Sequence, residues 1–284
     1  MNIRFVSDFD IRASNSETKP ADGYNYLAMW DREQYLRFMT ARSKPFFDLL
    51  AKIPPREYRH IVDLGCGPGN LTRVLAEHWP GAVVTGVDNS PEMLAKVETL
   101  AIPGRLEFVH GDIAAWKPAE AVDLVFSNAV LQWVPDHEDV LASLAEMLDD
   151  KGTLAVQMPM HMNTPGKKAI LDVAKRDRWR TTLAGVGLQP GCVKAAAWYI
   201  SHLLDLGFHV EAWETTYMHL LPGDNPVLEW MKGTALRPLL ERLTTEERAE
   251  FLCEVGSERQ SAYPRIGRLT LFPFPRLFFV ATKE

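Results

Sequence analysis

The sequence predicts an α/β protein with a mainly parallel, doubly wound sheet and helices on both of its faces. Three observations predict this class: short apolar runs alternate with helical segments between residues 60 and 160, a glycine-rich turn follows the first run, and an acid ends the second. Such alternation is typical of parallel sheets, because a crossover helix joins neighbouring parallel strands. Ligands of these sheets bind at the carboxyl ends of the strands.

The first strand and its glycine turn carry the most specific signal. The run His60–Leu64 predicts a buried strand, three glycines at every second position from Gly65 predict a tight turn, and residues 71–79 predict a helix with Asn70 as its N-cap. Glycine lets a ligand approach the backbone because it carries no Cβ. The third glycine comes one position too early for the dinucleotide pattern G-x-G-x-x-G, and no P-loop lysine follows.

The second strand ends in an acid at an informative distance. Val83–Asp88 is rich in β-branched residues, and Asp88 lies 23 positions after Gly65. At about this separation, a carboxylate at a strand end reaches the two hydroxyl groups of a ribose. Ser90 and Pro91 then predict the start of another helix, with Ser90 as the N-cap and Pro91 at the first helical position.

The rest of the chain continues the alternation and then departs from it. We predict strands at residues 106–114, 123–129, 153–158, 207–219 and 276–282, a turn at 149–152, and helices at 140–148, 166–180, 193–206, 226–235 and 244–263. Residues 1–25 are predicted to be an extension, residues 26–160 a ligand-binding core with N-terminal helices, and residues 161–284 a mainly helical cap insertion followed by strands that complete the sheet.

Composition narrows the class of function. The 284 residues are 46% hydrophobic, which is enough for one elaborated domain, and the formal net charge of −6 without a basic block disfavours a nucleic-acid substrate. The cysteines at 66, 192 and 253 are far apart and odd in number, so neither a disulfide framework nor a metal site is predicted. Without an apolar run of about 20 residues or a hydrophobic signal core, we expect a soluble cytoplasmic protein without a membrane partner.

The glycine turn, Asp88, the pair Gly111 and Asp112, and the end of the fourth strand resemble the motifs of class I S-adenosylmethionine-dependent methyltransferases. The resemblance implies a Rossmann-like sheet, S-adenosylmethionine as cofactor and S-adenosylhomocysteine as product. In that family the acid that matches Asp112 contacts the adenine amino group. The cofactor-binding residues implied by the resemblance are Asp63, Gly65, Cys66, Gly67, Gly69, Asp88, Asn89, Met93, Asp112, Ile113, Asn128 and Ala129.

Other segments resemble one narrower family, the trans-aconitate 2-methyltransferases. They lie at residues 30–31, 35–38, 42, 45, 128–137, 154–159, 213–219, 233–238, 263–264 and 274–278, and the resemblance spans roughly residues 28–284. It implies methylation of a carboxylate on a small polycarboxylic acid, most specifically trans-aconitate. Residues 30–32 and 161–194 depart from the family pattern, and the second of these stretches borders the expected substrate entrance.

The implied reaction needs positioning rather than acid or base catalysis. A carboxylate acceptor has a pKa of about 4 and is already ionised at neutral pH, so it attacks the methyl group without a general base. Arginines are the best partners for its charges, because a guanidinium binds a carboxylate through two parallel hydrogen bonds. The predicted substrate-binding residues are Tyr35, Arg37, Arg42, Trp133, Tyr217, His219, Arg237 and Arg276.

Three alternatives remain at this stage. In the first, a methyltransferase of the same fold acts on another organic acid or on a phenol, and a phenol would need a base such as His161 or His219. In the second, the chain binds S-adenosylmethionine without catalysing a reaction. In the third, it is an NAD-dependent oxidoreductase, which the glycine spacing disfavours. The sequence leaves the oligomeric state open.

Overall fold

The computed structural model describes residues 43–95, 97–160, 164–186, 193–232, 235–260 and 262–284, without the side chains of Arg237, Arg259 and Gln260. Its strands are β1 (His60–Leu64), β2 (Val83–Asp88), β3 (Leu106–His110), β4 (Val122–Asn128), β5 (Leu148–Pro159), β6 (Phe208–Pro222), β7 (Arg265–Ile266) and β8 (Leu269–Lys283). They form one sheet in the order β3-β2-β1-β4-β5-β8-β6, and β7 pairs with β8.

Strands β1 to β5 run parallel, whereas β8 is antiparallel to both β5 and β6. The predicted α/β class is therefore confirmed, and the sheet is parallel in its first half and antiparallel in its second. The helices are α1 (Lys44–Leu50), α2 (Asn70–His78), α3 (Pro91–Leu94), α4 (His137–Met147), α5 (Pro165–Ala174), α6 (Ala196–Asp205), α7 (Pro226–Lys232), α8 (Arg237–Leu240) and α9 (Thr245–Gln260). Short 3-10 turns lie at Val97–Thr99 and Leu131–Trp133.

Two predicted helix starts had different outcomes. The Oγ atom of Ser90 accepts a hydrogen bond from the Met93 N–H at 3.3 Å, and Pro91 opens α3, so this prediction is confirmed. The prediction that Asn70 caps α2 is wrong, since Asn70 is the first helical residue and Gly69 precedes it with φ +79°. The turn needs a left-handed residue immediately before the helix, and glycine adopts that conformation at the lowest cost.

Two segments at the middle and end of the sheet also differ from the prediction. Residues 149–152 belong to the start of β5, where the pairing with β4 shifts between Val122 and Leu124, rather than to a separate turn. Lys151 has φ +66°, so its backbone is turn-like within the strand. The third strand ends at His110 instead of residue 114.

Strand β8 begins at Leu269 rather than at residue 276, although it contains Pro273 and Pro275. Proline is compatible with this strand because β5 ends at Pro159 and β7 pairs only with Leu269 and Thr270, so in the ladder Pro273 and Pro275 pair with β6 alone. Prolines occur in strands where no ladder hydrogen bond is lost, and here the free edge provides that place.

The buried residues form two clusters with different roles. Around the sheet, Leu144 of α4 and Tyr199 and Leu203 of α6 pack with strand residues such as Val125 and Val156. The second cluster is formed by α5, α7, α8 and α9, which we call the helical cap. Both clusters reach β8, so this strand connects the cap to the sheet.

Polar contacts reinforce the cap at its surface. The rings of Trp179 and Phe251 meet edge to face with centroids 5.4 Å apart, and the indole N–H of Trp179 donates to Glu254 at 3.0 Å. Arg176 pairs with Glu254 at 2.6 Å and also with Glu258. These contacts join the segment after α5 to α9. None of the helices in the described part of the chain has the length and apolar character needed to cross a membrane.

Candidate functional site

The turn between β1 and α2 is held against the end of β2. The backbone N–H groups of Gly65 and Cys66 both donate to the carbonyl oxygen of Val87, at 2.7 and 3.0 Å. The N–H of Gly69 donates to the carbonyl oxygen of Cys66 at 3.1 Å, which closes the turn. The loop is therefore fixed by backbone hydrogen bonds before any ligand binds.

The three glycines of this loop have two different structural roles. Gly65 and Gly69 have φ +77° and +79°, and a Cβ on them would lie 2.1 Å from a methyl carbon of Val130 and 2.6 Å from the ring of Phe108. Gly67 has φ +56°, and no heavy atom lies within 4 Å of the position of its missing Cβ. Gly65 and Gly69 thus serve the packing of the loop, whereas Gly67 presents bare backbone to open space.

The carboxylate of Asp88 is tied to the same loop. Its Oδ2 accepts from the Gly67 N–H at 2.9 Å, and its Oδ1 accepts from the Ser90 N–H at 2.9 Å. Each carboxylate oxygen has two lone pairs, so both oxygens keep capacity for a further donor. Asp88 therefore lies at the strand end with acceptor positions available for hydroxyl groups.

Two other residues of this region are buried. Asp63 is 4% exposed and accepts a hydrogen bond from the Thr72 hydroxyl at 2.6 Å. Burial, with a smaller contribution from the charge of Asp88, raises the pKa of Asp63 to about 7, although the hydrogen bond from Thr72 opposes the shift. Burial also raises the pKa of the Cys66 thiol, with Asp63 and Asp88 adding to the effect, so this thiol is not an activated nucleophile.

The ends of β2 and β3 bring further predicted residues to the same edge of the sheet. Asp88 pairs with His110 across the two strands, and a ring nitrogen of His110 lies 3.2 Å from the Asn89 carbonyl oxygen. Asp112 accepts through Oδ1 from the backbone N–H two residues further on, at 3.0 Å. Ile113 is buried next to it. Met93, in α3, is 38% exposed.

The end of β4 contributes a backbone in a strained conformation. Ala129 has φ +60°, its N–H donates to the Gln157 carbonyl oxygen at 2.9 Å, and its own carbonyl accepts from the Gln132 side chain at 2.5 Å. Asn128 precedes it, and the buried Oδ1 of Asn128 has no hydrogen-bond donor among the described residues. Non-glycine residues in this conformation are concentrated at ligand sites.

A buried cation lies beyond β5. Arg276 is 5% exposed, and its Nη1 donates to the Oε1 of Gln157 at 2.9 Å. Its guanidinium carbon lies 4.8 Å from the ring centre of Phe274 and 6.0 Å from that of Tyr217. Among the described residues no carboxylate pairs with it. Burial consequently lowers the pKa of Arg276 to about 10.

Tyr217 faces the guanidinium from β6. Its hydroxyl donates to the Oδ2 of Asp48 in α1 at 2.6 Å, and the Lys44 ammonium lies 5.6 Å from its ring centre. Burial and the neighbouring Asp48 raise the pKa of Tyr217, so the hydroxyl keeps its proton and acts as a donor. Arg276 opposes this shift by a smaller amount.

His219 lies two residues further along β6. Its ring centre is 5.0 Å from that of Trp230 and 6.1 Å from that of Phe272. Burial lowers the pKa of His219, and the positive charges of Arg276 and Lys44 lower it further, so the imidazole is neutral at pH 7. Its buried Nε2 has no hydrogen-bond partner among the described residues.

Other predicted substrate residues lie outside this cluster or outside the described residues. Tyr35, Arg37 and Arg42 are not among the described residues, and neither is the side chain of Arg237. Trp133 lies in the 3-10 turn after β4 with 49% of its surface exposed. The predicted roles of these five residues stay predictions.

Comparison with known proteins addresses what this edge of the sheet does. Residues 61–152 match a family model described as a methyltransferase domain. The chain is 47% identical over 261 residues to a trans-aconitate 2-methyltransferase of Streptomyces avermitilis, an alignment that covers 90% of this chain and 97% of the relative. It is 42% identical over 255 residues to a trans-aconitate 2-methyltransferase of Mycobacterium tuberculosis, with 89% and 96% of the two chains covered.

The chain belongs to the trans-aconitate 2-methyltransferase family. The predicted class I S-adenosylmethionine-dependent methyltransferase is thereby confirmed. Solved structures agree on the fold at low sequence identity. The YcgJ protein of Bacillus subtilis matches with a TM-score of 0.56 and 12% identity over 84% of this chain and 97% of its own. A Haemonchus contortus phosphoethanolamine N-methyltransferase 2 matches with a TM-score of 0.53 and 16% identity over 84% and 52%.

The residues at the carboxyl edge fit the cofactor of this family, S-adenosylmethionine. Gly67 leaves space where a side chain would stand, Asp88 keeps acceptor positions, and the buried Oδ1 of Asn128 is an acceptor in need of a donor. When bound, the cofactor supplies a methyl group on a positively charged sulfur. Membership of this methyltransferase family does not support the alternative of an NAD-dependent oxidoreductase.

Two candidate site residues, Gln157 and Asp48, were not predicted from the sequence. Gln157 lies inside the apolar run of β5, where the pattern predicts only a buried strand, and its polar side chain in that run was the available signal. Asp48 lies in α1 between Phe47 and Leu49, which are both buried, so it too breaks an apolar stretch.

Proposed function

We propose that this protein transfers the methyl group of S-adenosylmethionine to one carboxylate of trans-aconitate. The relatives named trans-aconitate 2-methyltransferase support trans-aconitate as the acceptor. The structural observation that supports this acceptor best is the buried guanidinium of Arg276. No carboxylate among the described residues pairs with this cation, and an unpaired buried cation is unfavourable by several kcal/mol, so an anionic ligand would stabilise it. A small polycarboxylate supplies that anion.

In this proposal two parts of the carboxyl edge have separate tasks. The glycine loop, Asp88 and the end of β4 hold the cofactor, with Asp88 accepting hydrogen bonds from the ribose hydroxyls. Arg276 and His219 offer N–H donors to the acid, and Tyr217, whose hydroxyl proton is donated to Asp48, positions the ring that faces the guanidinium. Because the acceptor carboxylate is ionised at pH 7, these residues orient it and exclude water, and none of them removes a proton.

We also propose that the chain divides into a cofactor-binding part and a part that carries the cap and the acid site. Residues 26–160 contribute the cofactor-binding core, and residues 161–284 contribute the helical cap and the strands β6 and β8 that carry Arg276, Tyr217 and His219. The predicted extension at residues 1–25 lies outside the described residues. A cytoplasmic location and the absence of nucleic-acid partners stay predictions from composition.

The acceptor is tested by methyl transfer from radiolabelled S-adenosylmethionine to trans-aconitate, cis-aconitate, citrate and isocitrate. We expect label on trans-aconitate that mild base removes, because a methyl ester is base-labile and a methyl ether is not. Transfer to a phenol but to none of the acids would contradict the proposal, and the neutral His219 would then be the candidate base.

The role of Arg276 is tested separately. We expect Arg276→Met to raise the KM for the acid by tenfold or more while S-adenosylhomocysteine affinity is kept, since a lost charge-assisted hydrogen bond costs about 1.5–3 kcal/mol. Arg265→Met is the matched control, because Arg265 is exposed on β7, which pairs with the same strand. An unchanged KM in Arg276→Met would show that the guanidinium does not bind the acid.

A further inference from the structure

Gln157 occupies a position between the two halves of the site. It is fully buried in β5, where it pairs with Asn128 of β4 on one side and with Phe278 of β8 on the other. Its carbonyl oxygen accepts from the Ala129 N–H at 2.9 Å, and its side-chain oxygen accepts from Arg276 at 2.9 Å. The backbone of Gln157 thus contacts the predicted cofactor side and its side chain contacts the predicted acid side.

The chemistry of the two groups fixes the orientation of the amide. A guanidinium has donors only, so the atom of Gln157 that faces Arg276 must be the carbonyl oxygen Oε1. The amide nitrogen Nε2 is then directed elsewhere, and it is buried without an acceptor among the described residues. A buried donor without an acceptor is unfavourable, so this amide nitrogen calls for a partner.

Two further nitrogen atoms share this condition. The Nε of Arg276 and the Nε2 of His219 are likewise buried without a partner in the described part of the chain. His219 and Arg276 lie near the same ring, since the Phe274 ring centre is 6.3 Å from that of His219 and 4.8 Å from the guanidinium carbon of Arg276. Gln157 and Arg276 are joined by a hydrogen bond, so their remaining N–H donors lie on neighbouring side chains, and a carboxylate has two oxygens that accept from such donors.

We propose that Gln157 is a substrate-binding residue: its Oε1 fixes the guanidinium of Arg276, and its Nε2 donates a hydrogen bond to a carboxylate of the acid. This inference rests on the proposed function, since it assigns a residue to the same acid site. The backbone carbonyl oxygen of Gln157 also accepts the hydrogen bond from Ala129, so the residue that carries the Nε2 donor also holds the end of β4 in place. Gln157 therefore aligns the acid relative to the cofactor edge.

Two substitutions separate the parts of this role. Gln157→Glu has the same shape but places a negative charge beside Arg276, so the new carboxylate pairs with the guanidinium and competes with the substrate. Gln157→Met has similar length and removes both the acceptor and the donor without adding charge. Ala119→Glu is the control for the added charge, because Ala119 is exposed in the loop before β4, at the opposite edge of the sheet.

The readout is binding of trans-aconitate to the protein saturated with S-adenosylhomocysteine, measured by calorimetry so that no turnover occurs. We expect acid affinity to fall at least about tenfold in Gln157→Met and about a hundredfold in Gln157→Glu, because charge-assisted hydrogen bonds are lost. Affinity for S-adenosylhomocysteine should stay within about threefold of wild type. Ala119→Glu should bind both ligands as the wild type does.

The possible results distinguish an error in the role of Gln157 from an error in the proposed acceptor. If wild-type protein binds S-adenosylhomocysteine but no acid, the proposed acceptor is wrong. If wild type binds trans-aconitate and both variants bind it equally well, the role of Gln157 is refuted while the proposed function stands. Should Gln157→Met fail to fold, Gln157→Leu takes its place, because it also removes the donor and the acceptor without adding a charge. A fall in kcat with unchanged acid affinity in Gln157→Glu would also refute the assignment.

Discussion

Asp63 illustrates how burial alters a single carboxyl group below the glycine loop. Its exposed fraction is 4%, and its folded-state pKa is raised to about 7 from 3.8, mainly because burial disfavours the charged form. Between these two pH values the folded protein holds a proton that the unfolded chain has released. Stability contributed by the neutral group is thus complete below pH 3.8 and is lost as pH rises through about 7.

We therefore predict that Asp63→Asn gains stability relative to wild type as pH rises. The amide oxygen still accepts from Thr72, but the group no longer ionises. The difference in the free energy of unfolding should change by up to about 4 kcal/mol in favour of the variant between pH 4 and pH 8. Urea unfolding of both proteins at several pH values measures it, and parallel pH profiles would contradict the raised pKa.

For Asp88 we predict a loss of cofactor affinity. Asp88→Asn turns one acceptor into a donor that faces a backbone N–H, so S-adenosylhomocysteine binding should weaken by about 1.5–3 kcal/mol. Asp123→Asn is a matched control, because Asp123 also accepts two backbone N–H groups, from Arg59 and His60, at the opposite edge of the sheet. Calorimetry should show weaker binding in the Asp88 variant alone; equal affinities would remove Asp88 from the cofactor site.

At the scale of elements, the glycine loop allows a clean separation of folding from binding. Gly65→Ala should destabilise the protein by several kcal/mol, since the Cβ would collide with Val130 at 2.1 Å and the backbone conformation is left-handed. Gly67→Ala should cost only about 1–2 kcal/mol of stability, because space is open there, while its methyl group enters the expected cofactor space. Thermal unfolding and S-adenosylhomocysteine titration of both variants test this, and full cofactor affinity in Gly67→Ala would contradict it.

Helices and strands were predicted well from the sequence where the interactions that determine them join residues close together in the chain. The core strands and the Ser90 cap were predictable, because apolar runs and capping residues act within a few positions. Strand β8 was predicted too short, since Pro273 and Pro275 argue against a strand until one knows that β5 ends at Pro159 and frees that edge. That information is tertiary.

The same limit applies to the candidate site. Arg276 and Tyr217 were predicted from the family resemblance, yet the sequence alone gives no reason to connect them with Asp48 or Gln157. Those contacts join residues separated by 169 and 119 positions. The antiparallel register of β8 beside β5 brings Arg276 to Gln157, and the packing of α1 against β5 and β8 brings Asp48 to Tyr217.

At the scale of the whole molecule, cofactor binding is linked to global stability. S-adenosylhomocysteine at about one hundred times its Kd should stabilise the protein by about 2.7 kcal/mol and raise the Tm by several degrees, whereas NAD should have no effect. Differential scanning fluorimetry with both ligands measures the two shifts. Stabilisation by NAD alone would contradict the cofactor that the family assigns.

Net charge works against the proposed acid site only at short range. The chain carries a formal charge of −6, but salt screens its repulsion of an approaching trianion beyond about one Debye length, roughly 8 Å at physiological salt. Local donors around Arg276 must then outweigh that repulsion, which they can do because buried interactions are screened less by salt. Binding of the acid therefore depends on contact rather than on steering.

Within the part of the chain that the structure describes, Arg276 has no carboxylate partner, and this has a consequence for the end of each catalytic cycle. Under the proposed function a trianionic acid enters and a dianionic monoester remains, since esterification removes one negative charge. The same cation attracts the ester less strongly than the acid, because Coulomb attraction scales with the charge of the partner. Fresh substrate thus displaces product without a dedicated movement of the protein, and the enzyme should show little inhibition by its own ester.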